Sequence, residues 1–139
     1  MASQPLVSHH QALLALMVLA VLAFTPSKTF ATVFIVGGDQ GWRARVDYAV
    51  WAEGKVFRVG DKLVFKYPKC FHNVVKVNEY QFQKCSAPRG VKALATGNDV
   101  VELKTVGRNF YICSVGRNCA DGCQKLVIDV KPHHGTAGH

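Results

Sequence analysis

The side chains with the most distinctive chemistry in this sequence are one imidazole and five thiols. His72 is the only histidine between residues 32 and 131. The thiols belong to Cys70, Cys85, Cys113, Cys119 and Cys123. Imidazole and thiolate are the ligands that soft transition metals prefer. Because five is an odd number, at most two disulfides form, and the leftover thiol serves a metal, an intermolecular bond or simple burial.

Other catalytic patterns are missing from the sequence. It contains no Gly-x-Ser-x-Gly elbow, no phosphate-binding loop and no His-Glu-x-x-His pair. The 9 acidic residues sit mostly beside turn residues rather than in pairs. The sequence therefore predicts a protein that is not an enzyme.

The N-terminus has the pattern of a secretory signal peptide. Residues Ala12–Phe24 form an apolar stretch that is shorter than the ~20 residues of a membrane span. Thr29-Phe30-Ala31 fits the small-x-small cleavage pattern, although no Lys or Arg precedes the apolar stretch. We expect residues 1–31 to be removed and the protein to be secreted to the extracellular space or cell wall; an uncleaved N-terminal anchor is the alternative.

The predicted mature chain is strongly basic. The full chain carries 17 Lys and Arg against 9 Asp and Glu, for a charge of +8. Removal of Lys28, the one charged residue of the leader, leaves +7. This charge favours an acidic partner, either a cell-wall polyanion or an acidic protein. The basic residues are scattered singly, which argues against nucleic acid.

The hydrophobic pattern predicts an all-β fold. Seven short runs of β-branched and aromatic residues alternate with turn residues. They are Thr32–Val36, Lys55–Val59, Lys62–Tyr67, Asn73–Val77, Val100–Leu103, Asn109–Cys113 and Lys125–Val130. Such spacing indicates an antiparallel sandwich or barrel. The stretches 42–51 and 80–96 lack alternation and are expected to be loops or short helical turns, with Trp42 and Trp51 packing in the core.

An ordered set of motifs resembles the phytocyanins, the plant branch of the blue copper proteins, and most closely the plantacyanin or basic blue protein group. The set comprises Val36–Trp42, Trp51, Phe57–Phe65, His72–Val74, Cys85–Pro88, Phe110–Cys113, Cys119 and Gly122. The resemblance implies a cupredoxin-like Greek-key sandwich over residues 32–130, with 131–139 as a polar tail. It also implies electron transfer by one copper ion.

The ligand positions that the resemblance implies do differ in this chain. The family's copper site uses two His, one Cys and a weak axial Met or Gln. His72 and Cys113 match the first imidazole and the thiolate, while Asn118 stands at the second imidazole and Cys123 at the axial position. Gln124 would reach the axial position only through a one-residue slip. These changes predict that the blue copper centre is absent or badly weakened, because a carboxamide is a poor ligand for a soft metal.

Two uses of the remaining thiols stay open. The resemblance implies a disulfide between Cys85 and Cys119. Cys70 and Cys123 could form a second disulfide with Cys113 left as a buried thiol, or His72 and Cys113 could bind Cu(I) or Zn(II) together with one or both of them. A histidine of the tail, His133, His134 or His139, could also fold back to the site.

Two functions therefore compete for this sequence. The first is an extracellular, monomeric phytocyanin that carries copper and docks an acidic redox partner. The second is a copper-free module that binds cell-wall polyanions or an acidic protein through its basic surface. Lys69, Arg89 and Arg117 lie near His72 or Asn118 in the sequence or the expected fold and are candidates for a docking face.

Overall fold

The computed structural model describes residue 3 and residues 30–135. The predicted signal peptide, residues 1–31, lies almost wholly outside this part of the chain and stays a prediction. No helix within the described residues has the length and apolar character needed to cross a membrane.

Seven strands and two short helices make up the described domain. The strands are β1 (Val33–Ile35), β2 (Phe57–Arg58), β3 (Lys62–Lys66), β4 (Val75–Val77), β5 (Asn98–Glu102), β6 (Gly107–Ile112) and β7 (Lys125–Lys131). The helices are α1 (Tyr48–Ala52) and α2 (Glu79–Lys84), and a 3-10 turn covers Gly38–Gln40. All seven predicted strands are confirmed, and each helix overlaps one of the stretches that lacked alternation, with one residue outside it.

The strands form two sheets, one in the order β1-β3-β5 and one in the order β2-β7-β6-β4. The sheets are mixed rather than purely antiparallel as predicted, since β1 runs parallel to β3 and β2 runs parallel to β7. The remaining pairs are antiparallel. Strands β1 to β5 alternate between the two sheets. Strands β1 and β2 therefore pair with strands that do not follow them directly in the sequence, which allows the parallel direction that a hairpin excludes.

The core between the sheets is rich in aromatic side chains. Trp42 is fully buried and its ring centroid lies 4.8 Å from that of Tyr48 and 5.0 Å from that of Phe65. Trp51 is half-buried against Phe57. Both tryptophans therefore pack as the sequence predicted, and they anchor the segment that leads into α1.

Each helix begins at a side-chain cap. Oδ1 of Asp47 accepts from the backbone N–H groups of Ala49 and Val50 at the start of α1. Asn78 forms a reciprocal capping box with Gln81 at the start of α2. Helix α2 covers a second apolar cluster on the outer face of the four-stranded sheet, formed by β4, β6 and Cys119. The end of α2 is thereby held close to the loop between β6 and β7.

Candidate metal centre

Two loops meet at one end of the four-stranded sheet and bring the predicted ligands together. The last pair of β6 and β7 is Ile112 with Lys125, so that Cys113 and Gln124 come next to each other just beyond it. The Cys113 backbone N–H donates to the Gln124 carbonyl over 3.0 Å. Because β4 pairs with β6 at Val75, the residues before β4 lie beside those that follow β6.

A pair of side-chain hydrogen bonds locks these loops to each other. Asn73 Nδ2 donates to Ser114 Oγ over 2.8 Å, and the Ser114 backbone N–H donates to Asn73 Oδ1 over 2.8 Å. The Trp42 indole N–H donates to the Asn73 carbonyl over 2.9 Å. The residue next to His72 is thus fixed from two directions, which sets the position of the imidazole.

The imidazole and the thiol at this end differ in their exposure. The Cys113 thiol is free and buried, with 1% of the residue exposed. His72 is half-buried, and desolvation lowers the pKa of its ring, while an interaction with the Gln124 side chain acts in the opposite direction. The lowered pKa favours the neutral imidazole, which is the form that accepts a hydrogen bond or binds a metal.

Asn118 places its amide nitrogen between the two predicted ligands. Asn118 Nδ2 lies 3.2 Å from His72 Nδ1 and 3.8 Å from Cys113 Sγ. It also donates to the Phe71 carbonyl over 3.4 Å. The backbone carbonyl of Asn118 accepts from the Gln124 backbone N–H over 3.0 Å. The carboxamide therefore donates toward the same imidazole and thiol that would bind a metal.

Gln124, rather than Cys123, has the side chain that is buried at this site. Gln124 is fully buried, and neither atom of its amide has a hydrogen-bond partner of good geometry among the described residues. The same amide nevertheless lies close enough to His72 to affect the pKa of the ring. Buried amides without a well-formed hydrogen bond are costly, and here the His72 ring is the group with which the amide interacts.

Cys123, the predicted ligand at the axial position, is free and exposed in this structure. It contributes to the wall of a groove beside Arg45 and Phe82. Its backbone is left-handed, with φ of 51°. Alternation along β7 explains the difference, because Leu126, Ile128 and Val130 point inward and the same period places Gln124 inward and Cys123 outward. That alternation was visible in the sequence and supported the one-residue slip.

The disulfide that the resemblance implied is confirmed, and the second pairing is not formed. Cys85, at the end of α2, is joined to Cys119. Cys70 and Cys123 are both free and exposed, so the alternative pair of Cys70 with Cys123 is not formed in this structure. Cys70 lies in a turn with φ of 77°, whereas Cys123 faces the groove.

The soft-metal site that included Cys70 or Cys123 is likewise not assembled. Within residues 30–135 no group of three or more His, Cys, Asp and Glu side chains is arranged to hold a metal ion. The described part of the tail does not bring an imidazole to the site. His133 lies instead near Gly60, where an added Cβ would be 3.6 Å from His133 Cδ2. Gly60 is at the opposite end of β7 from Gln124, a separation of roughly 20 Å for a strand of this length. His139 is outside the described residues.

Comparison with known proteins places this site in a family. Residues 42–123, more than half of the chain, match the family described as Plastocyanin-like domain. The chain belongs to this family, the phytocyanins. "Blue copper protein 1b" of Medicago truncatula is 52% identical over 100 residues, which cover 72% of this chain and 62% of that protein. The phytocyanin resemblance is therefore confirmed, and the chain spans less than two thirds of the length of this relative.

Solved structures confirm the fold of the phytocyanin domain. Cucumber stellacyanin, a Cu²⁺ protein by its title, is 34% identical, with a TM-score of 0.70, and the match covers 76% of this chain and all of that one. Cucumber basic protein, titled a blue copper protein, is 36% identical, with a TM-score of 0.65, and the match covers 72% and 100% of the two chains. Copper is the metal that the names of these relatives state.

The donor set of this phytocyanin does not fit a blue copper centre with two imidazoles. His72, Cys113 and Gln124 supply an imidazole, a thiol and a buried amide that could hold a metal. The fourth position has Asn118, whose amide nitrogen faces the ligands as a donor. A protonated amide nitrogen offers no lone pair to a metal, and its oxygen is a poor ligand for a soft metal.

Proposed function

We propose that this protein is an extracellular phytocyanin that works without a blue copper centre, as a module that binds acidic cell-wall polysaccharide. The family role is electron transfer by one copper ion, and the proposal keeps the family's fold while replacing its chemistry. The proposed role is not enzymatic, because no catalytic pattern is present in the sequence.

The observation that carries the proposal is the position of the Asn118 amide. Its nitrogen donates toward His72 Nδ1 at 3.2 Å and Cys113 Sγ at 3.8 Å. These interactions satisfy the two strongest ligands of the family site without any metal. A metal that entered would have to displace the amide, and it would find one imidazole where the family supplies two.

Surface charge supports binding to a polyanion. Among the described residues only three cations, Arg108, Arg117 and Lys131, form ion pairs with carboxylates. Two further acidic residues, Asp61 and Asp99, are buried and hydrogen-bonded inside the domain. The positive charge of the surface is therefore largely uncompensated, which favours a flexible acidic polymer that contacts many separate cations.

The test for copper compares the protein with the Asn118→His variant. Each is purified in secreted form, treated with reductant and chelator, dialysed and titrated with Cu(II) while the visible spectrum is recorded. We expect no intense blue thiolate-to-copper absorption from the unaltered protein and a blue band from the variant, because Asn118→His restores the second imidazole beside Cys113. The Lys76→His variant, altered at an exposed position of β4, is the matched control for adventitious binding.

A second candidate function is electron transfer by copper held on three donors. The buried Gln124 amide favours it, because neither of its polar atoms has a partner among the described residues. A deep blue unaltered protein that holds one Cu(II) through dialysis would support this candidate and contradict the copper-free proposal.

A further inference from the structure

A groove on the side of the domain lies outside the candidate metal centre. It has a volume of about 540 Å³, within the range of roughly 300–1,000 Å³ that is usual for small-molecule sites. Its walls come from the start of α1, from Phe82 of α2 and from the segment 121–127. The groove therefore joins three parts of the chain that are distant in sequence.

The floor of the groove is apolar and its shape is held by the backbone. Val46, Tyr48, Phe82 and Val127 contribute apolar or aromatic surface. The Arg45 backbone N–H donates to the Gly122 carbonyl over 2.6 Å. A Cβ on Gly122 would lie only 2.5 Å from Ala44 Cβ, so glycine is required for the two walls to approach so closely.

The groove is lined by two cations, Arg45 and Lys125, and two carboxylates, and Arg117 beside it brings the local excess to one positive charge. Of its two carboxylates, Asp47 caps α1 and Asp121 forms an ion pair with Arg117. Arg45 is exposed and forms no ion pair with any described residue, and Lys125 Nζ lies 4.7 Å from the Phe82 ring centroid. Lys125 Nζ also donates to the Phe82 carbonyl over 3.3 Å, without a carboxylate partner among the described residues.

We propose that this groove binds a small amphipathic carboxylate. The apolar body of the ligand packs on Val46, Phe82 and Val127, and its carboxylate accepts hydrogen bonds from Arg45 and Lys125. Charge complementarity selects an anion over a neutral molecule of the same shape. The inference goes beyond the proposed function, since neither copper nor the polysaccharide takes part in it.

Two exposed thiols provide an internal comparison for the test. Cys123 lies in the wall of the groove, whereas Cys70 is exposed in a different loop and does not line it. The reduced protein is alkylated with iodoacetamide in the presence of EDTA, with and without cinnamate, and the rate at each cysteine is followed by peptide mass mapping. We expect saturating cinnamate to slow the alkylation of Cys123 about fivefold or more, because a bound ligand covers most of its site, and to leave Cys70 unchanged.

Ligand and protein variants separate the contributions of charge and apolar surface. Cinnamyl alcohol has the same apolar body without the charge, and acetate has the charge without the body. Both should protect Cys123 far less than cinnamate does. Arg45→Asn and Lys125→Gln should each weaken cinnamate binding about tenfold, the loss of one charge-assisted hydrogen bond, while Lys76→Gln on β4 should not. Asn suits the left-handed φ of 65° at position 45, so that this variant keeps its fold.

Three outcomes would overturn the proposal. One is equal protection of Cys70 and Cys123 by cinnamate, and another is equal protection by cinnamate and cinnamyl alcohol. The third is alkylation of Cys123 that, without ligand, becomes slower as the protein concentration rises. That result would show that a second copy of the chain fills the groove.

Discussion

At the scale of single residues, the position of one carboxamide separates this protein from the ligand set of its family. Asn118 has a smaller side chain than histidine, and its amide nitrogen reaches both His72 and Cys113. The carboxamide therefore connects the two loops, but its nitrogen lacks the lone pair with which an imidazole binds copper. Gln124, by contrast, retains a buried amide with no partner among the described residues.

Tyr111 provides a prediction about buried polar atoms. Its ring is buried between the sheets, and its hydroxyl has no hydrogen-bond partner among the described residues. Tyr111→Phe removes an unsatisfied polar atom, so we expect the free energy of unfolding to rise by about 1 kcal/mol. Urea denaturation measures this change.

The matched control for that variant is Tyr48→Phe. The Tyr48 hydroxyl donates to the Gly41 carbonyl over 2.7 Å and accepts from the Arg43 backbone N–H over 2.8 Å. Its removal should destabilise the protein, because these buried groups lose their partner. Equal destabilisation by both variants would contradict the interpretation of Tyr111.

At the scale of elements, the Cys85–Cys119 disulfide connects α2 to the loop that carries Asn118. The two cysteines are 34 residues apart, and Cys119 is buried in the cluster beneath α2. The disulfide therefore fixes the residue next to Asn118 whether or not a metal is bound.

We predict that the double variant Cys85→Ser/Cys119→Ser loses about 4 kcal/mol of stability, because closing a loop of this length restricts the unfolded chain. Urea denaturation of the oxidised protein and of the double variant provides the measurement. Cys70→Ser is the control, since Cys70 is free and exposed and its loss should change little. A double variant as stable as the unaltered protein would show that the apolar cluster alone holds α2.

At the scale of the whole molecule, the aromatic core makes stability depend on alkaline pH. Burial raises the pKa of Tyr48 and Tyr111 to about 12, and burial together with a hydrogen bond to Asp99 raises that of Tyr67 to about 12. In the unfolded chain tyrosine ionises near its ordinary pKa of 10. Below that pH both states are protonated and the full stability is present; as pH rises toward 12 only the unfolded state loses protons.

We therefore expect the free energy of unfolding to fall between pH 10 and pH 12, by on the order of 2 kcal/mol for each buried tyrosine. Denaturation curves recorded by circular dichroism at several pH values measure the slope. Tyr111→Phe should show a shallower slope, because it removes one of the three groups. A slope that is the same in this variant would show that other groups cause the alkaline loss.

Net charge leads to a prediction about the proposed polysaccharide partner. The mature chain is expected to carry +7, and it should be retained on a polygalacturonate column at low salt and released as salt screens the contacts. Replacing Lys69, Arg89 and Arg117, the candidates for a docking face, with Gln should shift elution to lower salt. The triple variant Lys55→Gln/Lys62→Gln/Lys104→Gln carries the same loss of charge elsewhere and is the control.

Equal shifts in the two triple variants would show that binding follows net charge rather than a particular face. Retention by a column of acidic protein and not by polygalacturonate would contradict the choice of partner. Neither result depends on whether the protein binds copper.

Most of the fold could be predicted from the sequence. Alternation of apolar residues located all seven strands, because one face of each strand must be buried. The parallel pairing of β1 with β3 could not be inferred in this way, since alternation shows which face is buried but not which strand lies alongside. The ordered motifs of the family supplied the overall arrangement that the pattern alone left open.

The sequence by itself determined which donors this protein has: one imidazole in the domain, five thiols and a carboxamide at position 118. Only the tertiary structure decided which of them meet. It buries Gln124 beside His72, turns Cys123 into the groove and leaves Cys70 exposed. The physical reason is that a shift of one residue along a strand reverses the direction of a side chain, so the register of β7 against β6 selects the residue that faces the site.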